Sequence, residues 1–150
     1  MSKLRRPNGD DHPEAALKHL IDSQTLLDGQ RPDGAAYLSG YVVECALKSI
    51  LLLEAVITGG TGPSWSGGKG HDLSSLESAV ATLAVTAGAK TARYVGSACS
   101  SLAGSPILAW NPEQRYRPEG IAQADAEAYH TMARDIYAET IAGMVLNGDL

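Results

Sequence analysis

Apolar residues recur at intervals of three and four along most of the chain, a spacing that predicts amphipathic helices rather than strands. Ala16, Leu17, Leu20, Ile21 and Leu27 form one such stripe. Asp11 precedes it as a cap, Pro13 suits a first turn and Glu14 completes a capping-box spacing, so the first helix is expected to start near His12 and to end at Gly29 and the Gln30-Arg31-Pro32 stretch. A second helix is predicted from just after Asp33 to Ile57. Leu38, Val42, Leu47, Ile50, Leu52 and Val56 make it apolar on nearly every side, which suits the middle of a bundle.

The run GGTGPSWSGGKG (59–70) is too rich in glycine for either regular element. After it, Asp72 is positioned to cap a third helix that turns Leu73, Leu76, Val80 and Leu83 inward and stops at Gly88. A shorter fourth helix is predicted over Lys90 to Leu102, and a last one from about Ile121 to Val145. Between them, Gly104 to Gly120 forms a second long connection carrying three prolines and several arginines. Connections of more than a dozen residues in a compact domain are usually functional or disordered, so any site is to be sought at these two. No alternating run is long enough for a strand, and no internal repeat is found. The pattern predicts an all-α fold, a helical bundle.

A chain of 150 residues with 44% hydrophobic and 19% charged residues has the size and composition of one globular domain. Residues 1–11 have no apolar stretch and are expected to be a flexible arm, with 12–150 as a single domain. Cys45 and Cys99 stand apart from any Cys/His cluster and read as buried thiols of a cytoplasmic protein. The most apolar stretch, Tyr41 to Ile57, is interrupted by Glu44, Lys48 and Glu54, which argues against a membrane span. A net charge of −5 argues against a domain that coats nucleic acid by bulk electrostatics and leaves room for a local basic site.

Several familiar chemistries fail on their residues. A Walker loop ending at Gly68-Lys69 needs glycine where Pro63 stands and Ser or Thr where Gly70 stands. The Gly62 to Gly67 stretch misses the nucleophile elbow by one residue. His12, His19, His71 and His130 have no partners at zinc-ligand spacing, so neither a metal nor another cofactor is expected.

What stands out is a polar face inside the apolar second helix, where Tyr37, Gly40, Tyr41, Glu44 and Lys48 follow at offsets of three and four. If exposed, the Glu44–Lys48 pair is worth only about 0.2–0.5 kcal/mol, too little to explain charges in such a helix. Buried, each charge must be paired or line a polar cleft. A structural ion pair that orients helices and a ligand-binding pair are both consistent with this spacing.

The run AAYLSGYVVECALKSILL (35–52), GHDL (70–73) and WNPEQRY (110–116) together resemble the HEPN family of small bacterial helical domains, over about Pro13 to Val145. The resemblance implies an antiparallel, up-and-down bundle of four to five helices that forms homodimers. It also implies a nucleotide- or RNA-associated module of toxin–antitoxin, defence or stress systems, beside a minimal nucleotidyltransferase as partner. By position it carries Tyr41, Glu44 and Lys48 of the central helix, His71 and Asp72 of the loop-to-helix junction, and Arg115 and Tyr116 after the tryptophan. Lys48, Arg115 and Arg117 are suited to hold phosphate, and Tyr41, Tyr116 or Trp65 to stack on a base. Asp72 has an alternative reading as a helix cap alone.

Many family members are metal-independent ribonucleases that use an arginine followed four to six residues later by a histidine near the start of the last helix. That motif is missing here, because His130 lies too far beyond Arg115 and Arg117. Arg6 and His12 have the spacing but precede the bundle, and read as coincidence. If the chain cleaves RNA, His71 is the expected acid/base. Three functions are therefore expected: a nucleotide or RNA-end binding module, a ribonuclease toxin with a non-standard site, or a dimerising scaffold with no ligand site. The first requires Glu44 and Lys48 to converge with His71 and Arg115.

Overall fold

The computed structural model describes all residues except 61, 64, 66–68 and 119, and the regular elements among the described residues are all helical, with no strand. Helix α1 spans His12–Asp28, α2 Pro32–Thr58, α3 Leu73–Val85, α4 Ser97–Ser101 and α5 Gln123–Tyr137. Beyond α5 the chain makes one π turn, Ala138–Ala142, and ends its helical path in α6, Gly143–Leu146.

The helix ends follow local chemistry. Asp11 accepts the Glu14 amide at the start of α1, with Pro13 in the first turn as expected. Pro32 opens α2, and Gly59 closes it with a left-handed φ of 71° that costs glycine nothing. Asp72 receives the amides of Ser74 and Ser75 and the Ser75 hydroxyl at the head of α3. The Ser75 hydroxyl above all holds the Asp72 carboxyl below its usual range.

One predicted helix is broken. The stretch Lys90 to Leu102 contains a 3-10 turn at Ala92–Tyr94 and the short α4, with Gly96 between them. A carboxylate from the last helical stretch takes amides that one continuous helix would bond internally, and a second one takes first-turn amides that any helix leaves free. Glu54 of α2 binds the amides of Lys90 and Thr91, and Glu139 binds those of Ala98 and Cys99. A side chain on Gly96 would meet the Glu139 carboxylate at 2.7 Å, so glycine is required for that bond to close. The last helix starts two residues later than its spacing predicts, because the Ile121 amide donates to Asp33 at 2.6 Å instead of entering a helical turn. The connection before it is folded into 3-10 turns at Pro106–Ala109 and Pro112–Tyr116.

Helix α2 is the axis of the bundle and packs against α1, α3 and α5. Val42, Val43, Ala46, Leu47 and Ile50 of α2 are buried against one another's neighbours in a core that includes Leu73, Leu102, Ile107 and Ile136. Leu4, from the segment expected to be a flexible arm, lies in the same core. A buried polar knot joins α1, α2 and α5, in which Ser23 Oγ contacts Ser39 Oγ at 2.8 Å and His130 Nδ1 at 3.0 Å. It satisfies groups that would otherwise be orphaned and gives His130 a structural place. Cys45 and Cys99 are buried free thiols, each pushed up to about 12 by burial first of all, and are inert as nucleophiles. No helix of the described residues is long and apolar enough to cross a membrane.

The tightest approach in the fold is that of Trp110 to Gly40. The indole is 2% exposed and lies flat enough on α2 that a Cβ at position 40 would come within 2.2 Å of its ring. Replacing a mid-helix glycine by alanine ordinarily stabilises by about 0.5–1 kcal/mol. Here the overpacking term of about 1–3 kcal/mol takes over. Gly40→Ala is therefore expected to lower the urea midpoint and the Tm by several degrees, and an unchanged or raised Tm contradicts this packing.

Candidate functional site

The polar face of α2 meets the end of the glycine-rich connection. Lys48 Nζ donates to Glu44 Oε1 at 2.6 Å, and His71 Nδ1 lies 2.8 Å from Glu44 Oε2, so both oxygens of one carboxylate are engaged. Glu44 and Lys48 are almost wholly buried, whereas the His71 side chain is 45% exposed. This is a buried pair whose third member reaches solvent. An arrangement of this kind persists only when geometry and added hydrogen bonds offset the loss of hydration.

The loop tryptophan closes the other side. Lys48 Nζ lies 5.0 Å from the centre of the Trp65 ring, within cation–π range, and the Arg6 guanidinium lies 5.6 Å from it. His12 stands edge-on to the same indole at 5.5 Å. Gly70 makes this possible, since a Cβ there would come within 2.9 Å of the Trp65 side chain and 3.6 Å of Lys48 Nζ. Together these groups line a hollow of about 440 Å³, which the N-terminal segment walls with Asn8 and Asp10. Its size falls in the ordinary range of small-ligand pockets.

The electrostatics of the hollow are mixed. Burial, and then the adjacent Lys48 ammonium, lower the affinity of His12 for a proton, so that its imidazole is neutral at neutral pH. The neutral ring keeps a polar nitrogen, Nε2, that is buried without a hydrogen-bond partner among the described residues. Arg6 forms no ion pair among the described residues and keeps its N–H donors available.

Not all of the expected residues meet. Glu44 and Lys48 meet as their spacing requires, and His71 joins them from the end of the glycine-rich connection. Arg115 and Arg117 do not join them, and line a separate hollow of about 700 Å³ with Tyr37, Asp33 and Asp125. The reason is topological: the Pro112–Tyr116 turn packs over the first half of α2, so Arg115 meets Tyr37, donating to its hydroxyl at 3.1 Å, well before the level of Lys48. Tyr116 is 73% exposed beside Arg115. Asp72 is occupied as the cap of α3 and lines neither hollow. Tyr41 lies between the two sites, its hydroxyl 3.1 Å from that of Tyr37 and its ring 6.1 Å from His71. Burial first of all, then the Tyr37 hydroxyl, keeps the Tyr41 phenol protonated.

Arg6 and His12 are the residues that sequence reasoning set aside and the fold brings in. Their spacing was the only cue, and their place in a segment before the bundle concealed it. Three or more His, Cys, Asp or Glu side chains do not cluster as metal ligands among the described residues. No family model matches the chain, and no curated protein or solved structure matches it either.

The coupling within the buried pair can be measured directly. Lys48→Met leaves the Glu44 carboxylate buried with His71 alone and is expected to cost about 3–5 kcal/mol in urea unfolding. Combined with Glu44→Gln, the same substitution is expected to cost clearly less than the two single changes added together. Strict additivity would mean that the two side chains do not depend on each other.

Proposed function

We propose that the chain is a HEPN-type module, with its helices in the antiparallel up-and-down order of that family, and that it binds a nucleotide or an RNA end in the Lys48 hollow. In this reading it is a cytoplasmic homodimer that works in a toxin–antitoxin or defence system beside a minimal nucleotidyltransferase. The observation that carries it is the placing of two almost wholly buried charges, Glu44 and Lys48, at the floor of a solvent-open hollow whose rim supplies Arg6 and His71. A purely structural pair has no need of such a rim. The Lys48 ammonium and the Arg6 guanidinium suit a phosphate, and the Trp65 edge and Tyr41 suit a base.

A second reading, the metal-independent ribonuclease, draws on one specific feature. Two imidazoles, His12 and His71, line the hollow that also holds Lys48. The half-exposed His71 suits proton transfer at the reacting oxygens, and Lys48 suits the charge that develops on phosphorus-bound oxygens, while His12 Nε2 is buried and serves the shape of the hollow. Incubation with single-stranded RNA is then expected to leave 2′,3′-cyclic phosphate ends, and His71→Ala to abolish them. RNA that stays intact with the wild-type chain removes this reading and leaves the binding module.

For the binding module, titration calorimetry with adenosine monophosphate is the direct measurement. Arg6→Ala and His71→Ala are each expected to weaken binding about tenfold, or ~1.4 kcal/mol, as loss of one charge-assisted contact does. Circular dichroism should show unchanged helix content. Affinity equal to wild type in both variants contradicts a ligand in this hollow, and favours the dimerising scaffold.

A further inference from the structure

The two hollows are joined by an unbroken path of contacts along one face of α2. Arg115 reaches the Tyr37 hydroxyl, Tyr37 touches the Tyr41 hydroxyl, Tyr41 stands edge-on to His71, and His71 shares the Glu44 carboxylate with Lys48. Tyr37 and Tyr41 are partly exposed, and both pack on the buried Trp110, at centroid distances of 6.1 and 4.8 Å. They are thus held by a rigid floor between a guanidinium end and an ammonium–guanidinium end, Tyr41 with His19 tilted against its ring at 5.4 Å and Tyr37 lining the Arg115 hollow. Tyr37 and Lys48 are about 16 Å apart along the helix at ~1.5 Å per residue.

A mononucleotide fills one hollow and leaves the other empty, whereas about five stacked nucleotides cover the distance at ~3.4 Å each, and fewer when bases leave the stack to lie on tyrosine. The geometry points to a single-stranded oligonucleotide of roughly three to five nucleotides as the ligand class, laid along α2 with phosphates at Arg115/Arg117 and at Arg6/Lys48 and bases against Tyr37 and Tyr41. This rests on the nucleotide-binding reading of the Lys48 hollow and extends it to the second.

The charge pattern favours a single strand over a duplex. Four cationic side chains along the strip are interleaved with Asp10, Glu44, Asp33 and Asp125. Glu44 is engaged by Lys48 and His71, Asp33 by the Ile121 amide, and Asp10 by the Asn8 side chain. A duplex, with its rigid phosphate rows, meets these carboxylates along its whole length, whereas a flexible single strand can turn its inner phosphates to solvent and set others at the two cationic ends. Affinity should therefore combine stacking with two to four phosphate contacts, and fall with salt at a log–log slope of roughly −0.7 for each contact.

The test is calorimetric titration of the full chain with adenosine monophosphate and with oligoadenylates of three, five and eight nucleotides, at two salt concentrations. Affinity is expected to rise at least tenfold from the monophosphate to the pentamer and to change less than twofold from pentamer to octamer, with a log–log salt slope of roughly −1.4 to −2.8 that is the same for both. Arg117→Ala, at an exposed position, is expected to weaken pentamer binding several-fold more than monophosphate binding. If the monophosphate binds as tightly as the pentamer, the strip is overturned while the single-hollow reading stands. If affinity climbs steadily through the octamer and its salt slope steepens in step with length, the bounded strip is overturned in favour of diffuse electrostatic attraction. If no nucleotide of any length binds, both readings fall together.

Discussion

The carboxylate of Glu44 is the constraint around which this fold is arranged. A buried carboxylate bound at only one oxygen would cost several kcal/mol, and here the oxygens are divided between an ammonium one turn along the same helix and an imidazole from a different segment. The first bond is local and follows from the spacing of Glu44 and Lys48. The second is not. It requires the chain to leave α2 at Gly59, cross the glycine-rich connection and return His71 to the level of Glu44 just before α3 begins. Asp72, by capping α3, fixes the direction from which His71 approaches, so a residue without contact to the hollow still determines its geometry.

Glycine plays two opposite parts along this face. At position 40 its missing side chain admits the indole of Trp110 onto the helix, and that indole becomes the floor for Tyr37 and Tyr41. At position 70 the same lack of a side chain admits Trp65 over Lys48. One tryptophan is entirely structural and the other lies at the edge of the polar hollow. The aromatic path between the two hollows therefore depends on tight packing at Gly40, in a part of α2 where hydrophobic periodicity alone would have allowed alanine.

How far the sequence discloses this depends on whether a feature is local. Helices α1, α2 and α3 are legible because caps and stripes act within a few residues: Asp11, Gly59 and Asp72 stand where the chain starts and stops its turns. The fourth predicted helix fails where Glu139, remote in sequence, takes the mid-segment amides of Ala98 and Cys99, while Glu54 holds the first-turn amides of Lys90 and Thr91. No pattern within Lys90 to Leu102 announces either carboxylate. The candidate site divides in the same way. Glu44 with Lys48 is a helical spacing, and the GHDL stretch brings His71 near by resemblance, but the level at which the Pro112–Tyr116 turn meets α2 is a tertiary matter. Arg115 consequently pairs with Tyr37 and stays out of the Lys48 hollow. Arg6 was hidden for the complementary reason, since a segment ahead of a bundle carries no periodicity to tie it to a core, and His12, in the first turn of α1, was set aside with it.

That N-terminal segment is held in place by means that owe nothing to helix formation. Leu4 is buried, Ser2 bonds twice to the Asp11 side chain that also caps α1, and Lys3 reaches the Gly148 carbonyl near the opposite end of the chain. Asp11 thus couples the start of α1, where His12 lies, to the placing of Arg6. Its carboxyl is held below the usual range, the bonds from Ser2 and the Glu14 amide outweighing the opposing effect of burial. By linkage these bonds contribute above the ordinary carboxylate pKa and fade as pH falls through the lowered value. The wall of the hollow is therefore least secure in acid, while the Glu44–Lys48 floor, set within a helix and shielded by Trp65, has no equivalent dependence on the segment. The two cations that line this hollow, Arg6 and Lys48, are thus positioned by independent mechanisms, one a hydrogen-bonded strap and the other a buried ion pair, and both lie within reach of a single indole.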